Sequence, residues 1–257
     1  MTTENVGEPR TVDAVQTACA VLDALQTLDG AGVTELATYI DVSKATAYNH
    51  LTTLRSEEYV VKEGDQYLLS LKYLDVAEYV RDRLGIYEVV EDELQSLAAK
   101  TDEVAQFATV EHGQTVYLHK ERGENAVETA SSAGKRELLH CTSLGKAMLA
   151  HMPEERVRDI VDQHGLPART EHTITEYDAL LGELETVRER GYAFDEEELI
   201  TGLRCVAAPI RDSEGAVIGA VSISGPSSRM TGERYREELP AEVQRSANVI
   251  EINTKFA

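Results

Sequence analysis

Cysteine, lysine and long apolar runs are all scarce in this chain, and each shortage removes a class of protein. The 257 residues include three cysteines, Cys19, Cys141 and Cys205, an odd and widely spaced set with no CxxC pair. Such a set supports neither a disulfide framework nor a standard structural zinc site. No stretch approaches the roughly 18 apolar residues that a transmembrane helix needs. The leading MTTENVGEPR lacks the apolar core of a signal peptide. The expectation is a cytoplasmic protein with reduced thiols and no membrane partner. Eight lysines and seventeen arginines face 46 acids, for a net charge of −21. The acids are spread along the whole chain, and 42% of residues are apolar. Periodic apolar spacing excludes a disordered acidic chain. An acidic surface kept soluble in concentrated salt fits better.

The length suggests two domains. From Thr11 to Leu28, Val12, Val15, Ala18/Cys19, Leu22, Leu25 and Leu28 recur at helical spacing, and DGAG ends the run. Cys19 is expected to be core filler. VTELATYI, a DVS turn and KATAYNHLTTLRSEEYV then read as two short helices. Leu36, Ala37 and Ile40 line the inner side of the first, and Ala47, Leu51 and Leu54 that of the second. Asp41 or Ser43 caps the second helix. YVVKEGDQYLLS alternates about a Gly-Asp turn and predicts a β-hairpin. This order over residues 1–70 is that of a winged helix-turn-helix domain.

In such a domain the second short helix presents small and polar groups to base edges in the major groove of double-stranded DNA. Lys44, Ala45, Thr46, Tyr48, Asn49 and Thr52 occupy that outer face, and Arg55 and Lys62 are placed for phosphates. The opposing consideration is charge. Residues 1–70 carry four basic side chains against eleven acids, so counterion release contributes little to binding. A protein-interaction winged helix therefore stays open as the alternative.

Residues 71–85 predict a stiff linker and dimerisation helix, followed by a domain over 86–257. Strands are expected at 104–110, 115–120 and 127–132, and helices at 143–152, 154–165 and 175–191. YAFDEE, RCVAAPIR and AVIGAVSISG return to strand, the last two joined by a DSEG turn, before a closing helix over 232–254 that is irregular at Pro240. The fold class is α+β, an antiparallel sheet flanked by helices.

The winged helix, HCTSLGKAMLA and RERGYAFDEEELITGLRCVAAPIRDSEGAVIGAVSISGP together resemble the IclR family of transcriptional regulators, from about residue 10 to the end. The resemblance implies an N-terminal DNA-binding domain and a C-terminal GAF-like effector-binding domain, and no cofactor is expected. It also implies a homodimer, or a dimer of dimers, on a palindromic operator. With the acidic surface, it points to a halophilic archaeal source. Asn49 stands where an arginine is common in the family, which bears on the operator sequence rather than on DNA binding. The implied effector pocket takes in Ser143, Leu144 and Gly145, Asp195, Leu203 and Cys205, and Ser222 and Ser224.

The residues agree with that placement. Ser222 and Ser224 lie two apart on a strand, so both hydroxyls share one side while Val221 and Ile223 take the other. Cys205 lies on the strand that returns against them, and Arg204 points the opposite way. Buried hydroxyls need partners, which a small organic acid, such as a sugar-derived one, would supply, although backbone or mutual hydrogen bonds would serve too. A turn opening a helix at Ser143–Gly145 suits an anion. Ordinary capping by Thr142 or Ser143 is the plainer reading. Catalysis has little support, because Cys205 has no neighbouring histidine and nearby acids raise a thiol's pKa. A zinc set of His140, Cys141, Asp195 and Cys205 matches no ligand spacing. Glu196–Glu198 read as solvated acid. A small-molecule or redox sensor acting through protein partners is the rival function.

Overall fold

The computed structural model describes residues 10–129 and 131–254, and the chain divides between Leu84 and Gly85 into two compact units.

The first unit contains helices α1 (Asp13–Thr27), α2 (Val33–Tyr39) and α3 (Lys44–Ser56). Strands β1 (Val60–Glu63) and β2 (Gln66–Leu69) follow as an antiparallel hairpin. Its core gathers Val21 and Leu25 of α1, Leu36 and Ala37 of α2, Ala47 and Leu51 of α3, and Val60 and Tyr67 of the hairpin. The Ser43 side chain caps α3 by accepting the Thr46 N–H at 3.0 Å. The α1 stripe is only half used. Its buried residues, Val21, Ala24 and Leu25, all lie in the second half of the helix. Val12 and Val15 are 62% and 59% exposed, and Cys19 is exposed as well. The core-filler reading of Cys19 is therefore wrong: an apolar period shows that a helix has an apolar face, not that the whole face is covered. Helix α4 (Lys72–Arg83) buries none of its residues, and Leu71, Leu74 and Tyr79 are exposed at its surface. Lys72 anchors its start, donating to the Glu57 carbonyl at 2.9 Å and stacking on the Tyr59 ring at 4.2 Å.

The second unit opens with α5 (Tyr87–Thr101), β3 (Val104–Glu111), β4 (Gln114–Arg122) and β5 (Arg136–Leu138). Helices α6 (Ser143–Leu149), α7 (Glu154–His164) and α8 (Tyr177–Arg190) come next. Strands β6 (Ala193–Glu196), β7 (Leu203–Arg211) and β8 (Val217–Pro226) precede the closing helix α9 (Leu239–Thr254). The six strands form one antiparallel sheet in the order β5-β4-β3-β8-β7-β6. Strand alternation splits the core into two layers. Phe107, Val206, Val221 and Ile223 pack against Leu94 of α5 and Val243 and Ile250 of α9. Ala108, Ala207 and Ala220 pack on the other face, against Leu144 and Met148 of α6 and Leu184 of α8. Small residues on that second face let α6 approach the sheet closely.

Two predicted elements differ. The described residues of 127–132 are not strand, and the strand beside β4 is the short β5, paired at Gln114–Val116. The segment 127–132 is held instead by Lys120, whose ammonium donates to the Thr129 and Ser131 carbonyls at 2.8 and 3.0 Å. The irregularity expected at Pro240 lies just before it, as a π-helical turn over Arg234–Glu238. Pro240 itself sits in the first turn of α9, where its missing N–H is harmless.

Candidate functional site

Two surfaces carry function-bearing residues, one in each unit. On the first, the buried face of α3 is Ala47 and Leu51, so Lys44, Ala45, Tyr48, Asn49, Thr52 and Arg55 all point outward and are exposed. Thr46 is partly buried, and its hydroxyl is shared with Ser43 at 2.8 Å. It serves the helix cap as much as the surface. Lys62 extends from the wing with its ammonium over the Tyr67 ring at 5.3 Å. No acid lies in the first turn of α3, so its positive dipole end is unopposed locally.

The second surface is a cavity of about 40 Å³ in the C-terminal unit. Its floor is set by strand register. Asp195 on β6 pairs with Cys205 on β7, Cys205 pairs with Ser224 on β8, and Ser222 pairs with both Ala207 and Gln106 of β3. Ser143 and Leu144 close one side, and Leu199, Ile200 and Leu203 form an apolar wall. Ser143 and Leu144 open α6, so their N–H groups have no acceptor within the helix. Thr142 caps α6 by accepting the Gly145 N–H at 2.9 Å. Thr142 thus caps α6 and lines the cavity together with Ser143 and Leu144.

Seven of the eight predicted pocket residues line this cavity: Ser143, Leu144, Asp195, Leu203, Cys205, Ser222 and Ser224. Gly145 does not. A Cβ there would fall 2.1 Å from the Leu139 carbonyl oxygen, so the glycine permits close packing of the turn before α6. Gln106, Tyr117, Thr129, Ser131, Lys135, Glu137 and Thr142 line the cavity unforeseen. A polar Gln in the middle of the apolar run VAQFATV was the available signal for one of them.

The cavity's polar groups are unevenly satisfied. Ser224 Oγ donates to Gln106 Oε1 at 3.1 Å, and Gln106 Nε2 donates to Ser131 Oγ. Ser222 is 1% exposed, yet its hydroxyl has no partner. Leaving such a group unmatched costs about 1–3 kcal/mol. Burial and the nearby Glu198 carboxylate push Asp195 up to about 7, against the opposing pull of Lys146. Burial also raises Cys205 well above an ordinary thiol, helped by Asp195, and raises Cys141 to about 12.

Glu198 corrects the reading of Glu196–Glu198 as solvated acid. It is 6% exposed, and its Oε1 accepts from Lys146, which is itself 1% exposed. Glu183 lies 3.8 Å from the same ammonium and bonds Arg190 at 2.8 Å. Lys146, the lysine of the GK pair, is therefore a buried counter-charge beside the pocket. Arg204 points away as expected, donating to the Met230 carbonyl at 3.1 Å and stacking on Tyr235. His140, Cys141, Asp195 and Cys205 do not converge into a metal-ligand set among the described residues.

A helix-turn-helix with a wing, carried on the same chain as a pocketed α+β domain, defines a DNA-binding transcriptional regulator of two domains. Residues 14–64 match the IclR helix-turn-helix domain, and residues 78–252 match the family described as bacterial transcriptional regulator IclR C-terminal. The chain belongs to the IclR family of transcriptional regulators. A Halobacterium salinarum protein described as "Probable HTH-type transcriptional regulator ArcR" is 34% identical over 98% of both chains. The crystal structure of the Thermotoga maritima IclR superposes with a TM-score of 0.77 at 29% identity, covering 94% of this chain and 98% of that one. An IclR homolog from Microbacterium hydrocarbonoxydans complexed with 4-hydroxybenzoate shares the fold, with a TM-score of 0.82 at 21% identity over 95% of this chain and 100% of that one. Among the described residues, no helix is long and apolar enough to cross a membrane.

Proposed function

We propose that this regulator is ligand-responsive: a small organic acid occupies the Ser222 cavity and alters how the winged helices engage an operator. The observation that carries the reading is the buried, unpartnered Ser222 hydroxyl in a cavity that Ser143 and Leu144, at the start of α6, also line. A carboxylate oxygen accepts from that hydroxyl, and protonated Asp195 adds a second donor. Gln106, Thr129 and Ser131 supply partners for a hydroxyl or keto group on the same ligand. The Microbacterium homolog's ligand, 4-hydroxybenzoate, has the same pairing of acid and hydroxyl.

The DNA-reading residues are Lys44, Ala45, Thr46, Tyr48, Asn49 and Thr52, with Arg55 and Lys62 on phosphates. Asn49 is suited to a bidentate contact with adenine. The exposed Leu71, Leu74 and Tyr79 around α4 favour a homodimer, or a dimer of dimers, on a palindromic operator. We place the protein in the cytoplasm of a halophilic archaeon. No catalysis is assigned, since the buried Cys205 and Cys141 thiols are held protonated by burial and a thiol is a poor nucleophile in that form. The same feature disfavours a redox-sensing role for either cysteine.

Thermal-shift measurements with pyruvate, glycerate, gluconate and 4-hydroxybenzoate in molar potassium chloride test the pocket. Stabilisation by at least one acid, lost in Ser222→Ala with Ser224→Ala, is expected. Equal shifts in wild type and variant would put the ligand elsewhere.

A further inference from the structure

Away from the effector cavity, one set of three potential ligand side chains among the described residues brings its donor atoms within 4.8 Å of one another: Glu91, His119 and Glu121. Two structural elements build it. His119 and Glu121 are two apart on β4 and therefore share a face. Their register partners on β3 are Phe107 and Ala105, whose side chains pack in the layer covered by α5. Glu91 comes from α5, one turn after Tyr87. The Tyr87 hydroxyl is 2.7 Å from His119 Nδ1, and the two rings meet edge to face at 5.2 Å.

The Tyr87 hydroxyl either donates to Nδ1 or accepts from it, according to the imidazole tautomer. When Nδ1–H donates to the tyrosine oxygen, Nε2 presents a lone pair, and it faces Glu121 Oε1 at 2.8 Å. A lone pair and a carboxylate oxygen do not approach so closely without something positive between them, either a proton on Nε2 or a metal ion. Glu91 adds a second carboxylate to the same group, so an ion there meets three donors, whereas a proton on Nε2 serves Glu121 alone. An imidazole held by an outer hydrogen bond is also the usual arrangement of a metal-ligating histidine.

We propose that Glu91, His119 and Glu121 bind a divalent first-row transition-metal ion, which clips the start of α5 to strand β4. One nitrogen and two oxygen donors suit Zn²⁺ or Mn²⁺ better than Mg²⁺ or Ca²⁺, which prefer oxygen alone. The His119 and Glu121 side chains are 13% and 32% exposed, and Glu91 is exposed. The ion is reachable from solvent and keeps positions for water. Donor separations under 4.8 Å are compatible with metal–ligand distances of about 2.0–2.2 Å after small side-chain adjustments.

The test is equilibrium dialysis of the full chain, first stripped of metal, against Zn²⁺ and separately Mn²⁺. Molar potassium chloride and excess Mg²⁺ suppress diffuse binding to the acidic surface. One ion per chain is expected, with a raised unfolding temperature. Glu91→Gln, at an exposed position, should weaken binding at least tenfold while leaving the metal-free protein as stable as before. Tyr87→Phe removes the bond that orients the imidazole and should weaken binding by about 10–100-fold. Glu88→Gln, an exposed acid on the same helix but outside the cluster, should change nothing. A Co²⁺ form should show ligand-field absorption that His119→Gln abolishes. The proposal is overturned if no saturable binding survives the Mg²⁺ competition. It is equally overturned if Glu91→Gln and His119→Gln bind as the wild type does, which would leave an ordinary protonated His119–Glu121 hydrogen bond.

Discussion

The backbone N–H of Glu198 donates to Asp195 Oδ1 at 2.7 Å, folding two buried carboxyl groups into one turn at the end of β6. Both are raised, chiefly by burial, with Glu198 further lifting Asp195 to about 7 and Lys146 restraining both. A carboxyl whose folded pKa exceeds its unfolded value binds more protons when folded. Stability is therefore lost as the pH climbs from about 4 to about 7, by an amount on the order of a few kcal/mol. Denaturation midpoints across that window should fall more steeply for the wild type than for Asp195→Asn. The same titration should act on the ligand. A carboxylate effector binds better below pH 7, where neutral Asp195 donates a proton instead of repelling it, and Asp195→Asn should flatten the affinity profile.

Lys146→Met leaves Glu198 buried without a cation, a loss that typically costs about 3–5 kcal/mol. Pairing it with Glu198→Leu should recover most of that stability by removing both charges. Chemical denaturation of the single and double variants checks this. A single variant as stable as wild type would show that Lys146 and Glu198 do not interact in solution.

Ser222→Ala separates a binding residue from a structural one. Without ligand, the variant should be as stable as wild type or more so, by up to about 1–3 kcal/mol, because an unmatched buried hydroxyl is gone. Ligand-induced stabilisation should fall at the same time. Destabilisation in the absence of any ligand would mean the hydroxyl already has a partner in the protein.

Gly145→Ala should destabilise by about 1–3 kcal/mol or more through overpacking, since its methyl would sit 2.5 Å from the Leu139 Cα. Thermal unfolding measures it. An unchanged midpoint would show that α6 and the turn before it separate readily.

The order of elements was legible where one periodicity dominated, as in the α2–α3 pair and in β7–β8, whose alternation placed Ser222 and Ser224 correctly on one face. The pocket's other half was not, because Gln106 and Tyr117 come from separate strands that only register brings together, and Thr129 from a loop held by Lys120. Cys19 and Glu198 failed for opposite reasons. An apolar stripe cannot show where its covering ends, and an acid in a charged run gives no sign that a lysine 52 positions earlier will bury with it. Gly145 was legible as part of a motif but not in its role, since close approach of Leu139 is a tertiary fact.

In the proposed function, one chain both reads DNA and answers a small acid. Fluorescence anisotropy on DNA from upstream of the gene, in molar potassium chloride, measures both with and without an acid that stabilises the protein. Sequence-specific binding is expected, weakened about tenfold or more by Asn49→Ala, in line with ~1–3 kcal/mol for a good base contact. The acid should shift that affinity in wild type but not in Ser222→Ala with Ser224→Ala. An affinity that responds identically in both proteins, or no specific binding at any salt, would contradict it.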